Sequence, residues 1–178
     1  MPAMNCLPAY RAAAVALCLT ALAGCAQMPP ADLPAAPAVS PQQRWAAVQE
    51  AGRTADTELD VQPLRDPQVQ DLRELAELAL DRGDLESAVQ ALNQALEIVA
   101  DDPAVLQERA ELALLQAQYE RAETLARRAY DVGSRSGPLC RRHWSTIEQS
   151  RLARSQAENA ASAQAQLQNC TIPGVTRY

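Results

Sequence analysis

From Val69 onward the apolar positions recur with two periods. The short one is helical: Leu72, Leu75, Ala76 and Ala79 fall on one stripe of an amphipathic helix. Gly83-Asp84 breaks that helix, and a second runs from about Leu85 to Val99. The long period is 34 residues, aligning Val69–Asp102 with Pro103–Ser136. Leu72 meets Leu106, Glu74 meets Glu108, and Ala76-Glu77-Leu78-Ala79-Leu80 meets Ala110-Glu111-Leu112-Ala113-Leu114 without a gap. Glu86 meets Glu120, Ala88 meets Ala122 and Ala95 meets Ala129. In the second unit Ala117-Gln118 takes the turn, and Tyr119 to Val132 forms the second helix. Each first helix opens on Asp-Pro, Asp66-Pro67 and Asp102-Pro103, an N-cap acid before an N1 proline.

A third unit appears at a shift of 38, after a longer loop from Gly133 to Cys140. Trp144 then falls on Leu106, Arg154-Ser155-Gln156 on Arg82-Gly83-Asp84, and Glu158-Asn159-Ala160 on Glu86-Ser87-Ala88. Trp144 and Ile147 take the large core positions, Glu148 replaces the small packing residue and Leu167 the later alanine. One long capping helix from Leu139 to Gln168 is the alternative, because Ser155-Gln156 is a weak breaker. The cysteines favour the hairpin. A straight helix would hold Cys140 and Cys170 about 45 Å apart at roughly 1.5 Å per residue, whereas a hairpin brings those ends together. A disulfide over that loop stabilises by roughly 3–4 kcal/mol. The rival is a thiol or metal site with His143, but one His and two Cys fall short of a closed zinc site.

The period, the helix–turn–helix unit and the small residues at 76, 88, 95, 110, 122 and 129 resemble the tetratricopeptide repeat. The resemblance implies an all-α fold of about three tandem repeats, the last degenerate, as terminal repeats often are. It implies small residues where the helices cross closely. Arg109 stands where Leu75 packs, which predicts a partly exposed position or a snorkelling arginine. Pro173 sits near the family's closing proline.

The first third of the chain has a different pattern. Arg11 precedes an apolar run, Ala12 to Ala23, too short to span a bilayer and laid out like a secretory leader. It ends in Leu22-Ala23-Gly24-Cys25, which resembles the bacterial lipobox. The resemblance implies lipid on Cys25, cleavage before it, and a membrane anchor. Ala26-Gln27 follow, and the lack of Asp there implies sorting to the outer membrane, facing the periplasm. Prolines at 29, 30, 34 and 37 make residues 26–40 an extended, disordered tether at roughly 3.1 Å per residue. Ser40-Pro41 can then cap a marginal helix over 41–58, with Trp45, Val48 and Leu59 on one face, either docked or mobile. Gly52 weakens that helix, and Pro63 marks a second break. The expected layout is a leader over 1–24, a lipidated tether over 25–65, a repeat domain over 66–174 and a tail over 175–178.

Composition narrows the function. The chain carries a net charge of -6, or -7 once Arg11 is lost with the leader, and has no Phe. An acidic chain of this kind excludes nucleic acid as the expected partner. Glu50–Asp102 is acidic and Arg109–Arg154 basic, with paired arginines at 127–128 and 141–142. These runs read either as solvated helix faces or as a surface that orients a partner. The single histidine, His143, has no Ser and Asp converging on it, and no Gly-rich phosphate loop is present. No enzyme, cofactor or metal is expected.

The expected function is therefore binding. In tetratricopeptide proteins the first helices line a groove that takes a partner segment. By register the groove candidates here are Arg73, Glu77, Asp81, Gln107, Glu111, Leu115, Arg142 and Gln149. Leu115 either offers an apolar anchor point or packs on the third repeat. The layout of anchor, tether and small repeat domain looks like the outer-membrane lipoproteins that activate class A penicillin-binding proteins. That resemblance implies docking on a peptidoglycan synthase, and the chain is expected to be a monomer. The alternatives are a pilotin-like or secretion-assembly lipoprotein and a structural envelope protein.

Overall fold

Asp66 and Asp102 set the first two hairpins, and each does so in the same way. The Asp66 carboxylate accepts from the N–H groups of Gln68 and Val69, and Asp102 from those of Ala104 and Val105. Each satisfies donors that a helix start leaves free, just ahead of a proline that needs no such partner. In the computed structural model, residues 38–53 and 64–171 are described. Cys25, residues 26–37, Leu59, Pro63 and Pro173 lie outside them. The described residues form seven α-helices and no strand. They are α1 (Pro41–Ala51), α2 (Pro67–Asp81), α3 (Leu85–Ile98), α4 (Pro103–Leu115), α5 (Tyr119–Val132), α6 (Gly137–Ala153) and α7 (Ala157–Asn169).

Three tetratricopeptide-type hairpins follow one another: α2–α3, α4–α5 and α6–α7. All three turn alike. A residue at positive φ closes the first helix: Gly83 (76°), Ala117 (57°) and Ser155 (59°). The next N–H reaches back to the carbonyl five residues earlier, Asp84 to Ala79, Gln118 to Ala113 and Gln156 to Arg151, at 2.8–3.0 Å. This is the Schellman closure, and it accounts for the third hairpin despite the weak breaker.

The alanines at the crossings are buried as their positions require: Ala88, Ala95, Ala110, Ala122 and Ala129 are fully enclosed. A larger side chain there would force the helices apart. Two expectations are corrected. Leu75 is 56% exposed and leaves the stripe, which runs instead through Val69, Leu72, Ala76 and Ala79. Arg109, at the same place one repeat later, is only 2% exposed, and its Nε donates to Asn93 Oδ1 at 3.0 Å. The reason is shared. This position faces the second helix of the preceding repeat. α3 supplies that helix for Arg109, and no described helix supplies it for Leu75. Burial lowers the Arg109 pKa from its ordinary value, with Arg121 adding to the effect.

The third hairpin is tied at its open end. Cys140 and Cys170 are joined, with Cα atoms 5.7 Å apart, and the Gly137 N–H donates to the Cys170 carbonyl at 2.8 Å. Ile147 is buried against Ala110, Ala126 and Ala163, and Trp144 meets the Tyr130 ring edge-on at 4.9 Å.

Helix α1 is short and only weakly amphipathic. Ser40 and Gln43 form a capping box around Pro41, and Gly52 ends the helix at Ala51, seven residues before the expected Glu58. α1 packs against α4 and α6. Val48 is fully buried with Ala113, Leu114 and Ala122, flanked by Trp45 and Tyr119.

Candidate partner-docking groove

The first helices of the three hairpins, α2, α4 and α6, lie side by side and are laced by charge. Arg73 of α2 pairs with Glu108 of α4 through both carboxylate oxygens, its Nε donating to Oε2 at 2.9 Å. Arg142 of α6 pairs with Glu111 of α4, Nε to Oε1 at 2.8 Å and Nη2 to Oε2 at 2.7 Å. Both pairs have the two-point geometry in which arginine binds carboxylate most firmly. The hydrogen bond and charge of Glu108 raise the Arg73 pKa. Burial would lower Arg142, but the attraction of Glu111 and Glu108 holds it above its ordinary value.

Beneath this surface lies a buried polar cluster. Gln107 is fully enclosed, and its Nε2 donates to Thr146 Oγ1 and Glu111 Oε1, each at 2.8 Å. Its Oε1 lies 2.7 Å from His143 Nδ1. An amide oxygen only accepts, so Nδ1 carries the ring hydrogen. The Nε2 of His143 is buried without a partner. Burial, and secondarily Arg142, pushes the His143 pKa down to about 3, so the ring is neutral.

Helix α1 sits over the α4 and α6 side of this face. Gln49 Nε2 donates to Glu111 Oε2 at 2.7 Å, and Arg44 Nη1 reaches the Gln149 carbonyl at 3.3 Å. Arg141 closes the end of α1, donating to the carbonyls of Ala51 and Arg53, both at 2.9 Å. The Arg141-Arg142 pair therefore points into the protein and is no solvated face.

Between α1 and α2 an open groove of about 450 Å³ remains. Five of the eight residues placed in the groove by register line it: Arg73, Glu77, Asp81, Glu111 and Arg142. Three do not. Gln107 lies below it. Gln149 receives Arg44 of α1. Leu115 is half-buried and packs on the core of the first hairpin. The register did not reveal Trp45, Gln49, Glu74 and Glu108, which also line the groove. For Trp45 and Gln49 the available signal was the Trp45/Val48 stripe of the segment read as tether.

Among the described residues, no three His, Cys, Asp or Glu side chains converge as metal ligands. Among them, too, no helix is long and apolar enough to cross a membrane. What the arrangement offers is a half-open groove with an apolar floor and charged walls, fixed by two ion pairs and by the Gln49–Glu111 hydrogen bond. That is the geometry of a binding surface.

No family model matches the chain, and no curated protein matches it. Among solved structures the chain is similar to the globular C-terminal domain of LpoP from P. aeruginosa. The identity is 28% and the TM-score 0.56, over 59% of this chain and 99% of that one.

Proposed function

We propose that this chain is an LpoP-like lipoprotein of the outer membrane that binds a peptidoglycan synthase and activates it without chemistry of its own. The observation that carries the reading is the likeness to the LpoP domain, which extends over 99% of that domain. It joins the anchor and tether read from residues 22–40 to a domain that resembles the lipoprotein activators of class A penicillin-binding proteins.

In this reading Cys25 carries the lipid, residues 26–40 carry the domain away from the membrane, and the groove side of the hairpins faces the synthase. The action is a population shift: the domain binds the active conformation of the synthase more tightly than the resting one. A pilotin-like role predicts a different partner, a secretin or pilus subunit.

The test is reconstitution. The mature chain, from Cys25 to Tyr178, is added to the purified class A penicillin-binding protein of the same organism, and glycan polymerisation from its lipid-linked substrate is followed. A several-fold rise in rate that saturates with the chain is expected. No change in rate, together with secretin or pilus subunits in a pulldown from solubilised envelopes, would overturn the reading.

A further inference from the structure

The groove beside α1 has a charge and a shape that select a partner. This inference rests on the partner-binding role proposed above and adds the chemistry of what is bound. We propose that the groove between α1 and α2 takes a basic, helix-forming protein segment with one apolar anchor, laid alongside α1.

The charge balance is uneven within the groove. Arg73 and Arg142 are already matched by Glu108 and Glu111. Glu74, Glu77 and Asp81 stand along the exposed face of α2 with no ion-pair partner among the described residues. The free charge is wholly negative. An acidic segment is repelled there and an Arg- or Lys-bearing one is drawn in. The floor between these walls is apolar, from Ala76, Leu80 and Leu112. Trp45, half-buried on the α1 wall, also lines the groove and adds aromatic surface for an apolar or cationic side chain.

The same face already holds a helix. α1 is seated over α4 and α6 by one apolar plug, Val48, and by polar links at Arg44 and Gln49. The open groove continues that seat toward α2. Its volume lies within the range of pockets that hold ligands, roughly 300–1,000 Å³. A partner helix there meets α1 on one side and α2 on the other, in the helix-in-groove mode of recognition.

The test uses the mature chain and two synthetic amphipathic peptides of equal length. Each carries one leucine anchor, one with arginines around it and the other with glutamates. Binding is read by fluorescence anisotropy at low and physiological salt. The arginine peptide is expected to bind at least tenfold more tightly than its twin, and to weaken with salt. Glu77→Arg/Asp81→Arg is expected to cost at least tenfold. Glu97→Arg/Glu158→Arg, which makes the same change in net charge at exposed sites outside the groove lining, is expected to cost less than threefold. All four side chains are exposed, and circular dichroism checks the fold of each variant. Equal binding of the two peptides, or equal effects of the two double reversals, would overturn the proposal. The purified synthase serves as a separate arm. If it binds wild type and Glu77→Arg/Asp81→Arg alike, the groove chemistry is wrong while the activator role stands. If it ignores wild type while the peptides still discriminate, the activator role fails and the groove chemistry stands.

Discussion

Gln49 and Glu111 are 62 residues apart in sequence, and their side chains meet at 2.7 Å. The Glu111 carboxylate also accepts from Gln107 and twice from Arg142. One buried acid thus holds α1, α4 and α6 together. Its loss leaves the largely buried Arg142 charge unmatched and takes an acceptor from the Gln49 and Gln107 amides, the second of which keeps Thr146. Glu111→Ala is expected to lower the unfolding free energy by roughly 2–4 kcal/mol, because an unmatched buried charge costs more than a lost neutral bond. Urea denaturation measures this. A loss under about 1 kcal/mol would mean that the donors simply rehydrate.

Gly52 is close to that same arginine. A Cβ at this position would lie 2.6 Å from Arg142 Cγ and 2.7 Å from its Cδ. Those atoms are in mid-chain on a side chain held at its tip by Glu111. Gly52 has φ of -80°, so alanine meets no backbone strain. Gly52→Ala is expected to destabilise by roughly 1 kcal/mol through overpacking. In an Arg142→Ala background the same change is expected to be neutral, or stabilising by about 0.4–1 kcal/mol through the unfolded chain. A double-mutant cycle by thermal denaturation reads the difference, and strict additivity would disprove the contact.

The three turns are alike in geometry but unlike in residue. Ala117 and Ser155 hold the left-handed conformation that Gly83 holds without strain. Ala117→Gly and Ser155→Gly are each expected to raise stability by roughly 0.5–1 kcal/mol, or a few degrees in Tm. Gly83→Ala is expected to cost a similar amount. An unchanged Tm in both glycine variants would show that the turn strain is relieved elsewhere.

His143 makes the fold sensitive to acid. Its folded pKa, about 3, lies below the unfolded value near 6.5, so protons favour the unfolded chain between them. The stabilisation from the neutral ring is complete above about pH 6.5 and is lost progressively as pH falls toward 3. The slope is up to about 1.4 kcal/mol per pH unit. Melting curves from pH 7 to 4 should fall more steeply for the wild type than for His143→Asn. Glu123, held low by Arg127 and Arg151 despite its burial, contributes to acid loss in both proteins and cancels. Parallel curves would place the His143 ring within reach of water.

The repeat could be read from the chain because its cues are local. The Asp-Pro caps, the 34-residue period and the alanines at the crossings all act within one hairpin. The Cys140–Cys170 geometry added the third. Other features depend on what packs against them. Leu75 and Arg109 exchange the burial their polarity suggests, because one lacks a covering helix and the other has α3. Leu115 turns toward the first hairpin core for the same kind of reason. Helix α1 was the least legible element. Its composition is polar and it follows a proline-rich stretch. Nothing near it in sequence says that Val48 will fill a hole between α4 and α5. Since α1 forms one wall of the groove, that half of the site was hidden with it.

A stack of repeats joined only to nearest neighbours can open from either end, one unit at a time. Helix α1 limits that freedom at the second and third hairpins. It leaves the chain before the first hairpin yet packs on the second and third, making contacts across 90 and 105 residues. Such contacts form late, because closing a long loop costs entropy before any bond is gained. The array is thus closed by a clasp, fastened from the helix ahead of the repeats onto their far end, and opening of the third hairpin has to undo that clasp as well.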